Sequence, residues 1–225
     1  MQQQLLPGIA SLPEPTLDNF VAGRNRELVT TLRSLTTGRS QERFFYLWGE
    51  EGSGKSHLLK AVADAIQRQG TQAVYTHIPT ECDGFQMVAL DNVDCLDEAA
   101  QIDLFNLYNR LRDGDGFLLA GGTLPPAQLA LRSDLTTRLA WGLVFRVQAL
   151  DDDEKTIALA AHAEERGFTL PADVSSYLLH HCRRDLPSLM AVLEDIDHYS
   201  LERQRPVSTP LLRELMEKNR GRYTG

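Results

Sequence analysis

The segment from Gly49 to Ser56 limits what this chain can fold into more than any other feature of its sequence. It reads GEEGSGKS and fits the pattern G-x-x-x-x-G-K-[ST]. In that pattern glycines let backbone N–H groups turn toward phosphates, and the lysine reaches the β- and γ-phosphates. The apolar run Phe44–Trp48 precedes it and a helical pattern, Lys55–Gln69, follows. A strand, this loop and a helix N-terminus together bind phosphate, which makes a chance glycine-rich turn the weaker interpretation.

We therefore predict a site for the phosphates of ATP or ADP, with Mg²⁺. Its loop residues are Gly49, Glu51, Gly52, Ser53, Gly54, Lys55 and Ser56.

Short apolar runs alternate with helical patterns through the first two thirds of the chain, which is typical of an α/β domain with a parallel sheet. The predicted strands are Phe44–Trp48, Ala73–Ile78, Phe85–Leu90, Phe117–Ala120 and Leu143–Val147. After Leu150 only helices are predicted, the first with a capping box at Asp151 and Glu154. The predicted organisation is a flexible arm over 1–15, a nucleotide-binding α/β domain over 16–150 and a small all-α lid over 151–225.

Asp91 ends the buried run Met87–Leu90, which we expect to lie beside the strand of the phosphate loop. An acidic residue there, together with Ser56, predicts the Mg²⁺ ligands; a turn or helix-capping aspartate is the alternative. Asn92 follows, and an amide cannot act as a general base. Asp94, two residues further on, is a weaker candidate for that role. We expect weak hydrolysis by the chain alone.

Composition restricts the partners. The 225 residues carry a formal net charge of −8, whereas proteins that grip duplex phosphates usually carry a basic stripe. Little direct DNA binding is expected, and a protein partner fits better. No apolar run approaches the length of a membrane span and no secretory signal begins the chain, so we expect a cytoplasmic protein. Cys82, Cys95 and Cys182 lie far apart and predict neither a disulfide nor a zinc site.

Several segments taken in order resemble the DnaA/Hda family of AAA+ ATPases. They are TLDNFVAG from Thr16, GKSHLL from Gly54, LDNV from Leu90, LFNLYNR from Leu104, PP from Pro125 and RLAWG from Arg138. The later segments look more like the short regulatory inactivators of that family than like the initiators. The initiators carry a further DNA-binding domain after the lid, so the end of the chain at Gly225 also favours the regulatory type.

The resemblance implies roles for further residues. It identifies Arg138 as an arginine finger that reaches a neighbour's γ-phosphate, with a plain surface arginine as the alternative. It places Arg184, or Arg183 in a shifted register, at the sensor-2 position near the nucleotide phosphates. Thr123 falls near the sensor-1 position, where relatives often have an acidic residue. The remaining nucleotide-binding residues that it implies are Phe20, Val21 and His57; core packing is the alternative for the first two.

The resemblance also gives the amino-terminal arm a partner. Gln3, Leu6 and Pro7 match the short motif by which relatives bind the DNA polymerase sliding clamp, although Gln4 stands where leucine is usual. Such peptides place a glutamine and apolar anchors in a groove. The alternative is a tail without a partner.

Together these features predict a nucleotide-bound regulator, with ADP as the expected nucleotide, that is either monomeric or dimeric. Tethered to the DNA-loaded clamp, it would stimulate ATP hydrolysis by the initiator DnaA through Arg138 and so limit re-initiation of replication. One alternative is a self-sufficient ATPase, such as a helicase loader or transposon helper that acts on single-stranded DNA. The other is a nucleotide-sensing scaffold to which Arg138 contributes nothing.

Overall fold

A computed structural model describes residues 14–219 of the chain. They divide between two compact units, residues 14–149 and the part from Leu150 onward. No helix in the described part of the chain is both long and apolar enough to cross a membrane.

The first unit is a five-stranded parallel sheet flanked by helices, as predicted. Its elements are α1 (Arg26–Thr36), β1 (Phe44–Trp48), α2 (Lys55–Arg68), β2 (Ala73–Thr76), β3 (Met87–Leu90), α3 (Glu98–Asp113), β4 (Phe117–Gly122), α4 (Ser133–Leu139) and β5 (Leu143–Arg146). The strands lie in the order β2-β3-β4-β1-β5. β2 stops earlier than predicted because the Thr76 hydroxyl oxygen accepts a hydrogen bond from the Ile78 N–H at 3.0 Å, which turns the chain ahead of Pro79.

This strand order corrects one expectation. The strand that precedes Asp91 does not lie beside the strand of the phosphate loop, because β4 is inserted between β3 and β1. The register aligns Leu90 with Ala120 of β4, and Trp48 with Gly122. All three strands therefore end at the same edge of the sheet, and their following residues converge there.

Two apolar layers cover the sheet because side chains alternate between its faces. Phe45 and Leu47 of β1 pack with α1 and α2 on one face. Tyr46, which lies between them in sequence, packs with α3 and α4 on the other face. Both faces of β3 are buried, as in central parallel strands.

The second unit consists of four helices, α5 (Asp152–Glu165), α6 (Ala172–His181), α7 (Leu186–Arg203) and α8 (Thr209–Lys218). The predicted capping box is present: the Asp151 carboxylate accepts from the Glu154 N–H at 2.9 Å, and the Glu154 carboxylate accepts from the Asp151 N–H at 2.9 Å. Inside this bundle Arg166 pairs with the buried Asp197 at 2.8 Å.

Candidate nucleotide site and arginine surface

The phosphate loop joins β1 to α2 through three glycines with positive φ. Gly49, Gly52 and Gly54 have φ values of 156°, 75° and 100°, a region that side chains rarely adopt. A Cβ at Gly49 would also collide with the Val147 carbonyl oxygen. The glycine pattern therefore follows from the backbone path, and the path brings the N-terminus of α2 to the loop.

Lys55 is buried at the first position of α2 and its amine turns back into the loop. Its Nζ donates to the carbonyl oxygens of Gly49 at 2.7 Å and Glu50 at 2.9 Å. Burial lowers the pKa of Lys55, and the negative charges of Asp91 and Asp94 oppose that shift. The Lys55 amine therefore lies at the centre of the loop, with the carboxylates of Asp91 and Asp94 close enough to act on it.

Ser56 and Asp91 meet at the start of α2. The Ser56 hydroxyl donates to Oδ2 of Asp91 at 2.5 Å, and the Asn92 N–H donates to Oδ1 at 3.0 Å. Asp91 is 1% exposed. A hydroxyl and a carboxylate are hard oxygen donors of the kind that Mg²⁺ prefers, so the two predicted metal ligands fit this ion.

Gly121 of β4 allows this contact across the intervening strand. A Cβ at Gly121 would lie 2.7 Å from Cδ1 of Leu59 on α2 and 3.0 Å from Oδ1 of Asp91. Any side chain there would push α2 and Asp91 apart. Sequence reasoning missed this residue, and its signal was the glycine pair that ends an otherwise apolar strand.

Thr123 lies directly after β4, where its polar groups bind Asp94. Its hydroxyl donates to Oδ2 of Asp94 at 2.8 Å, and its N–H donates to Oδ1 at 3.3 Å. Asp94 is thus engaged by Thr123. Asn92 has a left-handed backbone, φ 55°, and its amide nitrogen lies 3.4 Å from Nδ1 of His77.

Phe20 lies against the phosphate loop, and His57 lies beside it. A Cβ at Gly54 would approach Cε2 of Phe20 to 2.7 Å, and the Phe20 and His57 rings are 5.4 Å apart between centroids. His57 Nε2 donates to the Thr16 carbonyl oxygen at 2.9 Å, and burial lowers its pKa. Val21 is half-buried next to Phe20. The structure thus brings the segment around Phe20 onto the loop.

Arg138 lies on α4 and is held by α3. Its guanidinium is 4.0 Å from the Phe105 ring centroid, and its Nη2 donates to Oδ1 of Asn109 at 3.1 Å. The Trp141 ring, 5.7 Å from the guanidinium carbon, belongs to a side chain that is 62% exposed. Over residues 14–219 Arg138 forms no ion pair. Within that range its hydrogen bonds go to the neutral side-chain amide of Asn109.

Arg184 lies in the lid unit, directly before the N-cap of α7. Its Nη2 donates to both carboxylate oxygens of Asp152, the first residue of α5, at 2.7 Å for Oδ1. Hydrogen bonding to Arg184 lowers the pKa of Asp152. Arg183 approaches Asp185 at 3.4 Å. The clamp-motif residues Gln3, Leu6 and Pro7 lie outside the described residues.

Two family models match the chain. The model described as Hda, lid domain, matches residues 152–216, and the model of the bacterial DnaA ATPase domain matches residues 13–89. The chain belongs to the Hda/DnaA family of AAA+ proteins. The family predicted from the sequence is therefore confirmed, as is the fold class of a parallel α/β domain followed by a helical lid.

Solved structures share the fold at low identity. Domain III of DnaA from Thermotoga maritima has a TM-score of 0.73 at 18% identity and covers 92% of this chain and 97% of that chain. AMPPCP-bound DnaA from Aquifex aeolicus has a TM-score of 0.73 at 20% identity, over 92% and 70%. A point variant of RuvB from Thermotoga maritima has a TM-score of 0.65 at 16% identity, over 92% and 72%.

Proposed function

We propose that this protein is a nucleotide-bound regulator that stimulates ATP hydrolysis by the replication initiator DnaA, with Arg138 as an arginine finger acting in trans. The observation that carries the proposal is the state of the Arg138 guanidinium. It is stacked on Phe105 and bonded to the amide of Asn109, without a carboxylate to neutralise it in the described chain. A preorganised cation of this kind stabilises charge on a transferring phosphoryl group, an effect worth about 10³–10⁵ in rate elsewhere.

The same proposal assigns ADP or ATP to the phosphate loop. The left-handed glycines, the buried Lys55 and the Ser56–Asp91 pair support it, and the Aquifex aeolicus relative is a complex with AMPPCP. Ser56 and Asp91 would hold Mg²⁺, which neutralises phosphate charge when bound. Asn92 offers no base for the attacking water, so the chain alone is expected to hydrolyse ATP only weakly. The resemblance to the regulatory inactivators makes ADP the nucleotide that we expect to be resident.

On this proposal the amino-terminal arm localises the regulator by binding a partner protein. Gln3, Leu6 and Pro7 would bind the DNA polymerase sliding clamp, which places the protein on replicating DNA without strong DNA contacts of its own. The net charge of −8 supports a protein-mediated tether. On this proposal the protein acts in the cytoplasm, where a second copy could pair with it as a homodimer.

Arg138 is tested by measuring single-turnover ATP hydrolysis by DnaA in the presence of clamp loaded on DNA. Arg138→Ala is expected to reduce the stimulation at least about a hundredfold. Arg132→Ala is the matched control, because Arg132 precedes the same helix but is paired with Asp134 at 2.9 Å; it should stimulate like wild type. Full stimulation by the Arg138→Ala variant would refute the arginine-finger role and would favour a nucleotide-sensing scaffold.

A further inference from the structure

The Asp91 carboxylate has a third donor that lies outside the predicted site. The Tyr75 hydroxyl donates to Oδ2 of Asp91 at 2.9 Å, the same oxygen that accepts from Ser56 at 2.5 Å. With the Asn92 N–H on Oδ1, three protein groups donate to one carboxylate that is almost completely buried. A carboxylate offers about four lone-pair sites, so most of its acceptor capacity is already used within the protein.

The Tyr75 ring is fixed by its neighbours. Tyr75 lies on β2, opposite Ala89 of β3, which brings its hydroxyl level with Asp91, the residue that follows β3. The Lys60 amine of α2 lies 4.9 Å from the ring centroid, and the His77 ring meets it edge-on at 5.4 Å. These contacts hold the hydroxyl in position to donate to Asp91.

We propose that Tyr75 is a positioning residue at the metal end of the nucleotide site, and that it reduces the dependence of nucleotide binding on Mg²⁺. The inference rests on the proposed nucleotide binding. The hydroxyl stabilises the negative charge of Asp91 when no metal neutralises it, and it orients the carboxylate toward Ser56. Without that donor, and with no metal bound, the negative charge of Asp91 repels the nucleotide phosphates more strongly. A bound cation then improves nucleotide affinity more than it does in wild type.

The test is the affinity for a fluorescent ADP analogue, measured with Mg²⁺ and with EDTA. The ratio of the dissociation constant in EDTA to that in Mg²⁺ should rise roughly tenfold in Tyr75→Phe, chiefly through weaker binding in EDTA. Tyr108→Phe is the matched control, since Tyr108 is a buried tyrosine of the opposite core layer, and it should leave the ratio unchanged. An unchanged or lower ratio in Tyr75→Phe would overturn the inference.

Two further variants separate positioning from folding. Replacing Tyr75 with 3-fluorotyrosine keeps the ring and strengthens the phenol as a donor, so the ratio should fall below that of wild type. In an Asp91→Asn background, Tyr75→Phe should no longer change the ratio. If wild type binds no ADP, the proposed function fails and this inference fails with it. If wild type binds ADP and the fluorinated protein matches it, only the role of Tyr75 is refuted.

Discussion

Replacing Gly54 with alanine tests whether the phosphate loop and the Phe20 segment form one unit. Gly54 has a φ of 100°, and a Cβ there would lie 2.7 Å from Cε2 of Phe20. The substitution thus introduces backbone strain and a collision with the ring. Gly70→Ala is the matched control, because Gly70 has a similar φ of 90° but no atom within 4 Å of its Cβ position.

The two variants separate the two contributions. An alanine in the left-handed region costs about 1–2 kcal/mol, and this is the whole effect expected at Gly70. Overpacking adds about 1–3 kcal/mol, so Gly54→Ala should lower the free energy of unfolding by ~2–5 kcal/mol. Because Phe20 moves and the loop is distorted, ADP affinity should fall at least about tenfold in Gly54→Ala and remain unchanged in Gly70→Ala.

Urea unfolding of nucleotide-free protein measures the stability effect, and a double-mutant cycle with Phe20→Ala identifies its source. Removing the ring should relieve the collision, so that Gly54→Ala costs about 1–3 kcal/mol less in the Phe20→Ala background than in wild type. Additive effects of the two substitutions, or equal costs at Gly54 and Gly70, would refute the packing of Phe20 on the loop.

Three further outcomes are expected. Asp151→Ala removes the capping box of α5 and should destabilise the lid by about 1 kcal/mol, whereas Asp153→Ala in the same turn should not; thermal unfolding distinguishes them. Burial raises the pKa of the Cys82 thiol from 9.0 to about 11, so on raising the pH the unfolded chain releases this proton before the folded chain does. The free energy of unfolding should therefore fall between pH 9.0 and about pH 11, and it should fall less steeply in Cys82→Ala. If Arg184 has the sensor-2 role that the resemblance implies, Arg184→Ala should weaken ADP binding, and Asp152→Asn, which removes the charge paired with the guanidinium, should strengthen it. ADP affinities equal to that of wild type in both variants would contradict that role.

Local features of the chain were predictable because the residues themselves impose them. The glycines at 49, 52 and 54 adopt left-handed backbones that only their residue type accepts readily, and the loop follows from them. The capping box at Asp151 depends on a spacing of three residues within one helix turn. The end of β3 just before Asp91 follows from a run of four buried residues.

Lateral contacts between strands were not predictable from periodicity. Alternation of apolar residues does not reveal which strands are neighbours, so the position of β4 between β1 and β3 was missed. Two residues were overlooked for the same reason. Gly121 has no side chain, which lets Ser56 reach Asp91. Tyr75 brings its hydroxyl to Asp91 only because β2 pairs with β3. Arg138 was found by resemblance; its contacts with Phe105 and Asn109 needed the packing of α4 on α3.

The proposed function is tested most directly by the conversion of ATP-bound DnaA to the ADP form, followed over time with clamp loaded on DNA. ATP turnover by this chain alone, with and without single-stranded DNA, is measured in parallel. We expect rapid conversion with the full chain, loss of that stimulation when residues 1–8 are removed, and negligible turnover by the chain alone. No conversion, together with DNA-stimulated turnover by the chain alone, would contradict the proposal and favour a helicase loader or transposon helper.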